Sequence, residues 1–307
     1  MSGTGHSRAL RGAALMLCLV SATYALGHSG TGNLEHINLR VAFTRQSFLG
    51  VNEADAKAAF KVFAMRMGEK RGYDITPEVR IFEDPAELAR EAERDTPELI
   101  IIDTWDFLGH GPFANAPVEF AAIEQGVTSE PYFLLVKRGS AIGSIPDLRD
   151  KHVIVLESGN ANNGRHWLLT ELLALGVSDP ASFVGKLESK HKVSQVVLPV
   201  FFGQADACVV DQSGFDVMTD MNPQIGNELD VIVESPSVLD TICCVKLKGW
   251  DETRQRADLM DALMEMPDDP AGRQILALFR FDGMTAFADE HIETVRTLRE
   301  RHDALNL

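Results

Sequence analysis

Leu99, Ile100, Ile101 and Ile102 form an unbroken apolar run that stops at Asp103. A strand apolar on both faces must be covered on both faces, as in the interior of a parallel sheet flanked by helices. The neighbouring segments fit that setting. Ile37 to Phe43 alternates as a strand, Ala54 to Met67 predicts a helix stopped by Gly68, and Glu78 to Phe82 predicts a short strand. Pro85 to Arg94 predicts a helix capped by Asp84. Such alternation defines parallel βαβ units. A second series follows an apolar crossover strand, Tyr132 to Val136, and the loop Lys137 to Pro146. It comprises strands His152 to Leu156, Ala207 to Val210, Asp230 to Val233 and Ile242 to Val245. Its helices are Arg165 to Leu175, with Gly176 as stop, and Ser194 to Phe202, with Pro199 inside. The tail predicts helices Glu252 to Met266, Pro270 to Phe279 and Asp289 to His302. The expected fold is α/β, with two lobes joined by hinge strands: residues 36–133, then 134–238, with 239–307 returning mainly to the first lobe.

The N-terminus bears on location. Arg8 and Arg11 precede the apolar stretch Ala13 to Val20, which runs into the small residues around Ala25 and Gly27. A basic region, a short apolar region and a small-residue end describe a secretory signal peptide, expected over residues 1–27 with cleavage after Ala25 or Gly27. The apolar run is about half of the roughly 20 residues that a membrane-spanning helix needs. Leu17 before Cys18 does not suit lipid attachment, so a free periplasmic protein is expected rather than a lipoprotein. The net charge of -16, from 29 Lys plus Arg against 45 Asp plus Glu, disfavours phosphate backbones and anionic lipid surfaces as partners.

Cys208, Cys243 and Cys244 remain beyond the leader. An odd count permits at most one bridge in an oxidising compartment. Cys243-Cys244 sits in an apolar strand pattern, which favours two small core residues over a redox or metal role.

Ligands of open parallel sheets sit beyond the carboxyl ends of the strands. That rule singles out Arg45 and Ser47 after the first strand, Asp103, Thr104 and Trp105 after the apolar run, and Asp211 after Ala207 to Val210. It also singles out Glu157 to Gly164, where Ser158, Asn160 and Asn162 open directly into a helix. Unpaired N–H groups at a helix start hold carboxylates and oxyanions; the alternative is plain capping by Asn162 or Asn163. For Thr104 and Trp105 the alternative is a helix cap and a packing residue. Tyr132, Lys192 and Ser194 complete the candidate ligand-binding set, Lys192 as a counter-charge. There is no G-x-S-x-G, no H-E-x-x-H and no C-x-x-C, and the nine histidines show no metal-ligand spacing. No catalytic residue, metal or cofactor is expected.

The stretch Lys192 to Val210, carrying Ser194-Gln195 and Val197-Leu198-Pro199-Val200-Phe201-Phe202-Gly203-Gln204-Ala205-Asp206-Ala207, resembles the phosphate/phosphite/phosphonate type of solute-binding protein. Asp147-Leu148-Arg149-Asp150-Lys151 and Asp269-Pro270 through Phe279 are similar to further motifs of that family. The resemblance runs from Ile37 to the C-terminus and implies a transferrin-like, type II periplasmic fold. It implies a hinged, monomeric clamp that delivers a ligand to an ABC permease, or presents it to a membrane sensor such as a histidine kinase. It also implies ligand contacts from the Glu157–Asn163 loop and from Asp211. The loop departs from the Ser/Thr-rich pattern of phosphonate binders, which points to a small anion or zwitterion more broadly.

Overall fold

A computed structural model describes residues 34–159, 162–250 and 254–306. The leader expected over 1–27, Asn160 and the first residues of the helix predicted from Glu252 lie outside the described residues. The first sheet opens with β1 (Glu35–Thr44); α1 (Glu53–Arg71) leads to β2 (Tyr73–Phe82), and α2 (Pro85–Asp95) leads to β3 (Leu99–Asp103). After α3 (Thr104–His110) and β4 (Val118–Ile123) the chain enters a second sheet with β5 (Tyr132–Lys137). There follow β6 (His152–Leu156), α4 (Asn163–Ala174), α5 (Pro180–Phe183), β7 (Lys186–Lys190), α6 (Val193–Phe201) and β8 (Ala207–Asp211). Helices α7 (Gln212–Met221) and α8 (Pro223–Glu228) lead to β9 (Leu229–Glu234). The chain then returns through β10 (Thr241–Val245), α9 (Gln255–Met264), α10 (Pro270–Phe279), β11 (Gly283–Ala286) and α11 (Glu293–Leu305).

The first sheet has the order β11-β4-β10-β3-β1-β2 and the second β7-β6-β8-β5-β9. β3 lies between parallel β1 and antiparallel β10, and all five of its residues are buried. Burial on both faces is what its unbroken apolar run requires. Tyr132 to Val136 is an interior strand, paired with β8 and β9, so the crossings between sheets fall in residues 124–131 and 235–240.

Several boundaries differ from the sequence reading for identifiable reasons. Gly68 does not stop α1; a Cβ there would lie 2.5 Å from Ile75 Cγ1, so glycine serves the close packing of the helix on β2. The stop is Gly72, at φ 86°, whose N–H bonds back to Glu69 and Gly68 carbonyls. The tail helix breaks at Ile292, leaving a short 3₁₀ turn before α11. β7, sequence Lys-Leu-Glu-Ser-Lys, is a polar edge strand with no apolar pattern to reveal it. Cys208 lies in β8, and Cys243 and Cys244 in β10; all three are buried free thiols.

A charged network fastens the first sheet. Glu98 accepts from Arg40 N, Nε and Nη2 at 2.9, 3.0 and 2.8 Å, and from Lys246 Nζ at 2.9 Å. Burial works against the Glu98 carboxylate, but its bonds to Arg40 and Lys246 prevail and hold its pKa below the usual range. Removing one partner from such a cluster leaves an uncompensated charge. Glu98→Gln should therefore lower unfolding stability by about 3 kcal/mol, read from urea denaturation. A loss under about 1 kcal/mol would show that β1 and β10 are held by apolar packing alone.

Candidate functional site

The ends of β1, β3 and β6 meet around Asp240, which precedes β10. Asp240 Oδ1 accepts the backbone N–H groups of Asn162 and Asn163, both at 3.1 Å, and Asn163 Nδ2 at 2.8 Å. The Tyr132 hydroxyl donates to the same carboxylate at 2.9 Å. Thr104 Oγ1 donates to the Leu239 carbonyl at 2.7 Å and accepts from Asn163 Nδ2 at 3.2 Å. Two further contacts tie the loop after β1 to the loop before α4. Gly159 N–H donates to Leu49 O at 2.9 Å, and Gln46 Nε2 donates to Asn162 Oδ1. A Cβ on Gly159 would lie 2.4 Å from the Ser47 carbonyl oxygen, so only glycine permits this approach.

Beside this junction lies a cleft of about 670 Å³, lined by Lys192, Ser194 and Asp211, with Glu124 and Arg280 from the first-sheet side. Met218, Met221 and Ile225 form part of its apolar wall. Glu124, Glu130 and Asp211 each place a carboxylate oxygen within 4.8 Å of the others, a spacing able to hold a cation. Glu130 accepts from Ser213 N and Oγ, and Asp211 caps α7 through Gly214 N at 3.1 Å. Burial pushes Asp211 up to about 7, with the charges of Glu130 and Asp240 adding to it. Burial raises Glu130 and Asp240 as well; the hydrogen bonds from Ser213 and from Asn163 and Asn162 offset part of this.

Of the candidate residues, Lys192, Ser194 and Asp211 meet in the cleft. Tyr132, Thr104 and Asn162 belong to the Asp240 junction. Ser47 and Ser158 are buried in the two loops that approach each other. Arg45 is engaged by Glu83 and Glu53 in exposed ion pairs. Asp103, not Thr104, caps α3, accepting from Asp106 N at 2.9 Å. Its other carboxylate oxygen has no hydrogen-bond partner among the described residues, and burial, with Asp106 adjacent, raises it well above the usual range. Trp105 packs: its ring stacks on His166 at 3.9 Å, with the Arg299 guanidinium 4.7 Å from its centroid. Neither Asn162 nor Asn163 caps α4 in the ordinary way: no side-chain cap bond forms at Asn162, and Asp240 accepts from the backbone N–H groups of Asn162 and Asn163.

Asp240, Glu130 and Glu124 escaped the strand-end rule. Asp240 and Glu130 precede strands that run antiparallel to β3 and β8, so their starts lie level with Asp103 and Asp211. Glu124 follows β4, and reading Val118 to Ile123 as a strand would have found it.

Two sheets with crossed connections and a site at the strand ends define a two-lobed periplasmic binding fold of type II. The family model for the periplasmic substrate-binding protein of phosphonate ABC transporters matches residues 49–292. The chain belongs to that family. Solved structures agree on the fold. A binding protein component of an ABC phosphonate transporter from Pseudomonas aeruginosa aligns at TM-score 0.58 and 16% identity, covering 88% of this chain and 89% of the other. PhnD1 from Prochlorococcus marinus, in complex with methylphosphonate, gives 0.56 and 15%, covering 88% and 99%. A Xanthomonas citri protein bound to ATP gives 0.62 and 14%, covering 87% and 98%. No curated protein sequence matches the chain. Among the described residues no helix is long and apolar enough to cross a membrane.

The geometry yields two expected outcomes. Gly159→Ala should part the two loops and enlarge the radius of gyration in solution scattering; an unchanged scattering curve would mean that the Leu49–Gly159 contact does not hold the loops together. Asp211, at about 7 when folded against 3.8 ordinarily, keeps an extra proton in the folded state between those values. Stability contributed there is greatest at low pH and falls as pH rises through that window. Asp211→Asn should therefore gain on the wild type from pH 4 to 8, by at most about 4 kcal/mol. Parallel urea midpoints across that range would contradict the burial argument.

Proposed function

We propose that the protein captures a small ligand bearing both signs of charge, phosphonate-like or an organic acid, in the cleft and delivers it to an ABC permease. The supporting observation is that one cleft carries Lys192 and Arg280 together with Glu124 and Asp211, whose carboxylates have a Glu130 oxygen within 4.8 Å. A purely anionic or purely cationic ligand would meet like charge on part of that lining, which weakens binding, whereas a ligand with both signs can match it. On this reading the chain has two lobes, residues 36–133 and 134–238, with 239–307 returning to the first, and the cleft closes between them. Export by a signal peptide over residues 1–27 and action as a periplasmic monomer complete the reading. Binding and release, without turnover, are sufficient for it.

A thermal-shift panel tests this with aminoalkylphosphonates and amino acids, with dicarboxylates as purely anionic controls. A ligand at 100 times its Kd adds about 2.7 kcal/mol, a rise of roughly 4–5 °C for a chain of this size. Lys192→Ala and Asp211→Asn should each weaken the hit at least about tenfold, or 1.4 kcal/mol. A panel without a hit, or a hit indifferent to both substitutions, would remove the cleft as the ligand site.

A further inference from the structure

The start of α4 is a donor-rich helix N-terminus of the kind that binds carboxylate or phosphate, and here the chain supplies the anion itself. Three donors from Asn162 and Asn163 and the Tyr132 hydroxyl converge on the Asp240 carboxylate, at 2.8 to 3.1 Å. Tyr132 is held in place by packing: it is fully buried, and a Cβ on Gly164 would lie 2.5 Å from its ring. Asp240 is fixed from the other direction, since its own carbonyl accepts from Thr104 N at 2.8 Å. A second anion arriving at these donors meets both an occupied position and a like charge.

We propose that Asp240 is a specificity-determining residue, a built-in carboxylate that fills the anion position of α4 and turns away ligands whose only charge is negative. The inference rests on the cleft being the ligand site and narrows its substrate class to compounds carrying a cationic group, such as a primary amine. The surroundings point the same way. Asp103, Glu130 and Asp211 all feel the Asp240 charge, so the field at the junction is negative and favours an ammonium over a further oxyanion. Lys192 and Arg280 line the neighbouring cleft and leave any anionic end of the ligand a place beside α6 rather than on α4.

Titration calorimetry with inorganic phosphate and methylphosphonate on the intact mature chain tests this in three proteins. The wild type should bind neither below millimolar concentration. Asp240→Ala, which empties the position, should bind phosphate at least tenfold more tightly than the wild type, and acetate should raise its thermal midpoint while leaving that of the wild type unchanged. Asp240→Asn keeps the shape without the charge, so its phosphate affinity should also exceed the wild type's; it decides the matter if the alanine variant does not fold. Micromolar phosphate binding by the wild type overturns the inference, as does a folded Asp240→Ala indifferent to phosphate and acetate. In either case, continued weakening of the zwitterionic hit by Lys192→Ala and Asp211→Asn would show that the cleft reading survives and only the role of Asp240 fails.

Discussion

The Asp240 carboxylate, buried and receiving hydrogen bonds from Asn162, Asn163 and Tyr132, is the interaction on which the rest of the arrangement depends. It belongs to the segment that returns from the second sheet to the first, yet it is bonded to a helix and a strand of the second. Burying a lone carboxylate costs several kcal/mol, and hydrogen bonds to a charged group recover about 1.5–3 kcal/mol each. With its donors in place the charge is tolerated; without them it is not. The connection between lobes is therefore tied to one arrangement of the α4 start, reinforced by the Gly159–Leu49 and Gln46–Asn162 contacts.

The same charge shapes the neighbouring chemistry. Asp211, Glu130 and Asp103 are each raised by burial, and the proximity of Asp240 adds to all three. Such mutual repulsion is costly for stability and persists at functional sites because a ligand can relieve it. An ammonium group entering near Asp211 and Glu130 would satisfy carboxylates that now repel one another. Family membership establishes a binding protein of the phosphonate-transporter type, and the structural likenesses agree on its fold.

Much of the fold was legible because burial leaves a clear pattern. The run from Leu99 to Ile102 announced an interior strand, and the Asp84 and Gly176 signals marked real helix ends. Gly68 misled because a glycine demanded by close packing looks the same in sequence as one demanded by a left-handed turn. The candidate site was half legible. Asp211 follows from strand order and Lys192 from its place before the helix at Ser194, whereas Asp240 and Glu130 depend on which strands run antiparallel, a tertiary fact that no local pattern carries. The loop before α4 reads in sequence as a place for an oxyanion or a plain cap, and no local pattern shows that its Asn162 and Asn163 N–H groups bond to Asp240.

A crystal structure of the protein with the ligand that co-purifies with it is the most direct test. The expected result is that Asp240 still accepts from the backbone N–H groups of Asn162 and Asn163, while the ligand lies in the cleft against Lys192 and Asp211. A ligand oxyanion seated on those two N–H groups, with the Asp240 side chain displaced, would contradict it.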